Sequence, residues 1–143
     1  MTPNTRTYVE VRSHVVGFHC WPDAPEPVTF LRARHRHVFH IRVKVEVTHD
    51  DRQVEFVLLK REVMSFIAVM PGVVANLQVW GLEFGNLSCE QIARLIGDHL
   101  VGLGYVVHDV GVSEDGEFEG SVFYASKAPA QAALPSTGAA TSG

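Results

Sequence analysis

Arg34-His35-Arg36-His37-Val38-Phe39-His40-Ile41-Arg42-Val43-Lys44-Val45-Glu46-Val47-Thr48 is the stretch that decides the fold. From Val38 to Thr48 apolar and polar residues alternate strictly, which marks a half-buried β-strand. Phe39, Ile41, Val43, Val45 and Val47 share one face; His40, Arg42, Lys44 and Glu46 share the other. His35 and His37 have the parity of the apolar face. Two imidazoles aimed together into a sheltered concavity are costly unless something uses their nitrogens. A metal ion is the simplest user, because neutral imidazole is a good ligand for zinc and its neighbours.

A second alternating segment lies upstream, from Tyr8 to His19. Val9, Val11, Ser13, Val15, Gly17 and His19 fall on one face; Glu10, Arg12 and His14 fall on the other. If the two segments pair as an antiparallel hairpin, with Cys20 to Leu31 connecting them, the end of the first meets the start of the second. His19 then approaches His35 and His37. Three His ligands with a fourth position open describe a catalytic rather than a closed structural zinc site. Solvent-facing or core-satisfied histidines are the competing explanation for an isolated His-x-His pair. His14, His40, His49, His99 and His108 carry no comparable spacing; His49 reads as a turn residue and His99 as a helix-surface residue.

The chain of 143 residues is long enough for one domain with its own core. Its 46% hydrophobic and 20% charged content is that of an ordinary globular protein. The net charge of −4 gives no electrostatic case for nucleic acid. No apolar run approaches the ~20 residues that cross a bilayer, and Met1 to Arg6 lacks a signal-peptide core. Cys20 and Cys89 are too few for a disulfide framework, so a cytoplasmic location is expected. Composition turns to Ala, Pro, Ser, Thr and Gly towards the C-terminus. The reading is one domain over 1–126 and a flexible tail over 127–143.

The coarse order is strand (Thr7 to Phe18), strand (His37 to Thr48), a short strand (Gln53 to Phe56), helix (Leu58 to Met70), helix, strand (Tyr105 to Glu114) and strand (Phe118 to Ala125). Pro71-Gly72 stops the first helix. Gly72 to Phe84 is apolar without a stable period, and Trp80 and Phe84 read as core or as pocket wall. Ser88 and Gln91 form a capping box for the second helix, which is expected to bury Ile92, Leu95, Ile96, Leu100 and Leu103 and to end at Gly104. Asp115-Gly116 is a hairpin turn. The expected class is α+β: a four-stranded antiparallel sheet with two helices, between the second and third long strands, packed on one face. Two exposed edges are a liability, so a homo-oligomer joined edge to edge is expected.

Several segments together resemble the 6-pyruvoyltetrahydropterin synthase and 6-carboxytetrahydropterin synthase family. Gly17-Phe18-His19-Cys20-Trp21-Pro22 is similar to the end of that family's first strand. His35-Arg36-His37-Val38-Phe39 resembles its HGHxF signature, and Val54 to Lys60 its V-x-D-F-x-x-L-K element. Asn86 to Glu90 resembles its N-P-T-x-E helix start, and Glu114 its strand-borne glutamate. The resemblance covers roughly Thr7 to Tyr124. It implies a tunnelling fold, in which trimers close a twelve-stranded barrel and pair into hexamers, with active sites between subunits. It implies Zn2+ on His19, His35 and His37, and a pterin ring held by Glu114. The implied substrate is 7,8-dihydroneopterin triphosphate, cleaved by a lyase serving tetrahydropterin or 7-deazaguanine (queuosine) synthesis.

Three positions depart from the family pattern. Leu31 occupies the place of the catalytic Cys. No Asp-His pair follows the first helix between Met70 and Asn86. Arg36 replaces the glycine between the two histidines. His108 with Asp109, and Cys89, are the candidate substitutes for the missing proton-transfer groups. A module that binds a pterin or purine-like ligand without turnover therefore stands beside the lyase. A homo-oligomer with a purely structural metal is the third reading.

Overall fold

A computed structural model of the protein describes residues 4–125. The tail expected over 127–143 lies outside the described residues. Two long strands form the centre: β1 (Thr7–His19) and β2 (His35–Val47). They pair antiparallel in unbroken register from Thr7↔Val47 to His19↔His35. The alternation of each strand is why this register holds, since a one-residue slip would move every apolar side chain to the other face.

The sheet has six strands, not four, and it is mixed rather than antiparallel. Beyond α1 (Phe56–Ile67) come β3 (Val74–Asn76) and β4 (Gly81–Glu83); beyond α2 (Cys89–Gly102) come β5 (Val106–Glu114) and β6 (Phe118–Phe123). The order across the sheet is β3-β4-β1-β2-β5-β6. β4 runs parallel to β1, pairing Gly17 with Leu82 and Phe18 with Glu83. Strands of three residues are too short to display a period, which is why the 72–84 segment read as patternless. Within it Phe84 is core at 1% exposure and Trp80 is solvent-facing at 84%.

The short strand expected at Gln53 to Phe56 is absent. Glu55 instead caps α1, its carboxylate accepting from the Val57 and Leu58 amides, and these bonds hold it below the usual carboxylate range. α2 starts with the capping box expected from Ser88 and Gln91. Both helices lie on the apolar face. Leu59, Val63 and Ile67 of α1 and Ile92, Ile96 and Leu100 of α2 bury against Phe39, Ile41, Val43, Val110 and Val112. Each such fully buried side chain contributes about 1.5–3 kcal/mol. His99 is not a free surface residue: it stacks on Phe66 and lies 2.8 Å from Glu62, linking α2 to α1.

One irregularity changes a prediction. The β2–β5 register runs evenly from Phe39↔Glu114 to Lys44↔Asp109 and then shifts to Val45↔Val107. His108 is the extra residue of a β-bulge. Counting by twos along β5 gives His108 the parity of Glu114, but the bulge resets the count. His108 meets Tyr8 on the polar face instead.

Candidate metal centre

The β1–β2 register sets His19 opposite His35, and Gly17 opposite His37. The three ring centroids lie 4.5–5.3 Å apart, and one ligand atom from each falls within 4.8 Å of the others. Gly17 is needed here, because a Cβ would collide with the rings of Phe84 and Phe39. Phe39, fully buried, floors the site, with its centroid 5.1 Å from His19 and 5.7 Å from His37.

The outer contacts of the rings share one pattern. His19 Nδ1 lies 3.0 Å from the Leu87 carbonyl, His35 Nδ1 lies 2.8 Å from the Ala33 carbonyl, and His37 Nδ1 lies 2.6 Å from Asp115 Oδ2. A carbonyl or carboxylate oxygen only accepts, so each Nδ1–H donates, and in the neutral ring Nε2 is then the nitrogen with the lone pair. Nε2 of His19 and Nε2 of His37 are buried without any hydrogen-bond partner. Burial pushes the His19 pKa down, against the Leu87 bond and the Glu114 charge, and favours the neutral ligand form. The donor set therefore fits a divalent cation such as zinc, down to the acceptors that orient ligating imidazoles.

Glu114, at the end of β5, faces this cluster within its own chain. Its Oε1 is 3.1 Å from His19 Nε2 and its Oε2 is 3.5 Å from His37 Nε2. Cys89 Sγ, at the first turn of α2, is 3.8 Å from Glu114 Oε1. Burial, and then the Glu114 charge, push the Cys89 thiol up to about 12. Asp115 also accepts the Val38 amide at 2.8 Å. That bond and the one from His37 hold its carboxyl below the usual range.

The other predicted residues sit elsewhere. Asp109 is 2% exposed on the polar face, hydrogen-bonded by His108 and paired with Arg42. Leu31 lies in a 3-10 turn, Thr29–Arg32, and presents only hydrocarbon. Arg36 is exposed and pairs across to Phe18, on the face opposite the imidazoles. Cys20 donates its amide to the Gly85 carbonyl.

Sequence reading missed Asp115, Ala33 and Leu87. Asp115 had a signal: it follows Glu114 in the hairpin turn, so pairing β5 beside β2 brings it to His37. The two carbonyls had none. Two concavities, of about 390 and 400 Å³, lie along the sheet and neither is lined by any of the three histidines. Neither gathers unmatched lone pairs, so the imidazole cluster is the stronger candidate.

No protein-family model matches the sequence, and no curated protein matches it. Solved structures do match in shape. An uncharacterized protein from Wolinella succinogenes aligns with TM-score 0.60 at 14% identity, over 84% of this chain and 99% of that one. The 6-pyruvoyl tetrahydropterin synthase of Caenorhabditis elegans aligns with TM-score 0.59 at 12% identity, over 87% and 99%. That of Plasmodium falciparum aligns with TM-score 0.53 at 15% identity, over 85% and 99%. The chain has the fold of these synthases.

Proposed function

We propose that the protein is a zinc-dependent lyase similar to the 6-pyruvoyltetrahydropterin and 6-carboxytetrahydropterin synthases, acting on 7,8-dihydroneopterin triphosphate. His19, His35 and His37 are its metal ligands and Glu114 its pterin anchor. One observation carries the reading: every imidazole of the trio is tied through Nδ1 to an acceptor, which leaves Nε2 free to ligate.

Zinc bound there would polarise substrate hydroxyls and acidify the adjoining C–H bonds. The chain's own groups do the rest. The Leu87 and Ala33 carbonyls and the Asp115 carboxylate fix the ring tautomers. Phe39 and Phe84 keep water from beneath the site. Glu114 can accept two hydrogen bonds from the amino and ring N–H groups of a pterin edge. Cys89, held as a thiol, can donate a proton but is a poor base. His108 with Asp109 would reach a substrate only from a neighbouring subunit. The edges support such an assembly: Phe118 and Phe123 on β6, and Val74 on β3, are each more than half exposed. A trimer or hexamer would cover them. Among the described residues no helix is long and apolar enough to cross a membrane. Two free thiols fit a cytoplasmic location.

The aliphatic Leu31 favours a second reading, in which the same site binds a pterin or purine-like ligand without turnover. A general base or acid contributes ~10²–10⁴-fold, so its loss would cripple the reaction. The deciding experiment incubates zinc-loaded protein with 7,8-dihydroneopterin triphosphate and follows triphosphate release. Release supports the lyase. Zinc retention and ligand binding without release support the second reading. Protein that takes up neither zinc nor ligand overturns both.

A further inference from the structure

Arg34 and Glu83 form a link that the strand order does not require. β1 lies between β4, which carries Glu83, and β2, which Arg34 precedes. The two side chains meet across it. Arg34 Nε donates to Glu83 Oε2 at 3.0 Å and to Oε1 at 3.2 Å, and Arg34 Nη2 also donates to Oε1. Asn76 on β3 donates its side-chain amide to the same Oε1 at 3.0 Å. The guanidinium lies 3.8 Å from the centroid of the Phe18 ring. Phe18 precedes His19 in β1, and successive strand side chains leave opposite faces, so the link crosses the back of the imidazole cluster. The Arg34 bonds, with the Asn76 bond adding to them, hold the Glu83 carboxyl below the usual range.

Each end of the link stands beside a main-chain acceptor of the trio. Arg34 directly follows Ala33, whose carbonyl receives the His35 ring at 2.8 Å. Arg32, on the other side of Ala33, donates Nε to the Ala24 carbonyl at 2.8 Å, so Ala33 sits between two anchored arginines. Glu83 precedes Phe84, whose amide donates to the Phe18 carbonyl at 2.8 Å. The Leu87 amide returns to the Phe84 carbonyl at 3.2 Å, and the Leu87 carbonyl receives the His19 ring at 3.0 Å. The geometry points to Arg34 and Glu83 as positioning residues: their ion pair is a latch that fixes the Ala33 and Leu87 carbonyls relative to each other, and through them the His35 and His19 rings. This rests on the reading of the imidazole trio as a metal site. The Arg34 side chain is 51% exposed and that of Glu83 29%, and a pair so open to water adds little to the stability of a fold. Its effect falls instead on how long the two rings hold a common ion.

The test compares the full chain, loaded with Zn2+, with Arg34→Met, Glu83→Ala and the double variant. Methionine keeps hydrocarbon over Phe18 but lacks the donor fork. Three quantities are read: zinc release into excess chelator, the visible absorption of the Co2+ form, and the urea midpoint of the metal-free chain. Each single variant should release zinc about tenfold faster and alter the Co2+ spectrum, with a metal-free midpoint close to wild type. The double variant should release zinc no faster than the faster single variant, because both changes remove one shared interaction. The sign for Arg34→Met separates the latch from simple charge. Removing a cation near a dication would by Coulomb's law tighten binding, whereas a broken latch loosens it. Unchanged or slower release in Arg34→Met would overturn the inference while leaving the histidine site intact. So would effects that multiply in the double variant. A metal-free Arg34→Met chain that unfolds at markedly lower urea would overturn it too, since the pair would then act on the fold as a whole. A wild-type chain that holds neither Zn2+ nor Co2+ would overturn the metal site and the latch with it.

Discussion

Two histidine–carboxylate clusters lie on opposite faces of one sheet, and they differ in how completely their polar atoms are matched. On the polar face Asp109 is almost fully buried, yet it accepts from His108 Nδ1 at 2.5 Å and pairs with Arg42, which also reaches Glu119 at 3.3 Å. Every charge there has a partner of opposite sign or a donor. At the far end of β1, on the apolar face, Glu114 stands against two imidazole nitrogens that have no hydrogen-bond partner. Buried polar groups are normally satisfied, so the matched cluster reads as structure. The unmatched one holds three histidines that could bind a metal ion, one ligand atom of each lying within 4.8 Å of the others.

The largest expected effects come from breaking the unmatched cluster. His35→Ala should lose the metal, with zinc affinity falling by more than about 100-fold in a chelator competition. The metal-free melting temperature should stay close to wild type, because His35 touches little of the core. Leu31→Cys should leave zinc affinity unchanged. A metal-binding loss there would mean that the 3-10 turn belongs to the site.

Breaking the matched cluster should act on stability instead. Arg42→Ala leaves a buried carboxylate with one donor fewer, and a cost of about 3 kcal/mol is expected in urea unfolding. Zinc affinity should not move. If Arg42→Ala weakened zinc binding as much as it weakened the fold, the two faces would not be independent.

Asp115→Ala tests how the unmatched cluster is held. Asp115 orients His37 and accepts the Val38 amide. Its removal should weaken zinc about 10–100-fold, as loss of an orienting partner does, while the chain remains folded by circular dichroism.

The comparison also explains what the sequence could and could not say. The thirteen-residue strands β1 and β2 alternate without a break, so their register, and with it the meeting of His19, His35 and His37, followed from periodicity. His108 was misplaced because a bulge inserts one residue opposite Lys44 and Val45, and a bulge has no residue-type signature. The parallel β4 was invisible for want of length. It is admitted by Gly81, where a Cβ would press on the Val16 carbonyl. Ala33 and Leu87 act through backbone carbonyls, which every residue possesses. Side-chain parity was therefore legible, whereas groups recruited from the main chain required coordinates.

The smallest effect expected is a difference in acid sensitivity between the faces. Burial raises the Asp109 pKa, but hydrogen bonds from His108 and Arg42 and their charges outweigh it, so the carboxyl titrates below its ordinary value. A depressed folded-state pKa contributes stability that is present above the unfolded value of about 3.9. That contribution is lost as pH falls through the folded value. Asp109→Asn has no such carboxylate. Between pH 6 and pH 3 the urea midpoint of wild type should therefore fall further than that of Asp109→Asn, even though the variant starts lower at pH 6. Equal falls would show that Arg42 and His108 do not favour the ionised Asp109, and the face described as fully matched would then be only apparently so.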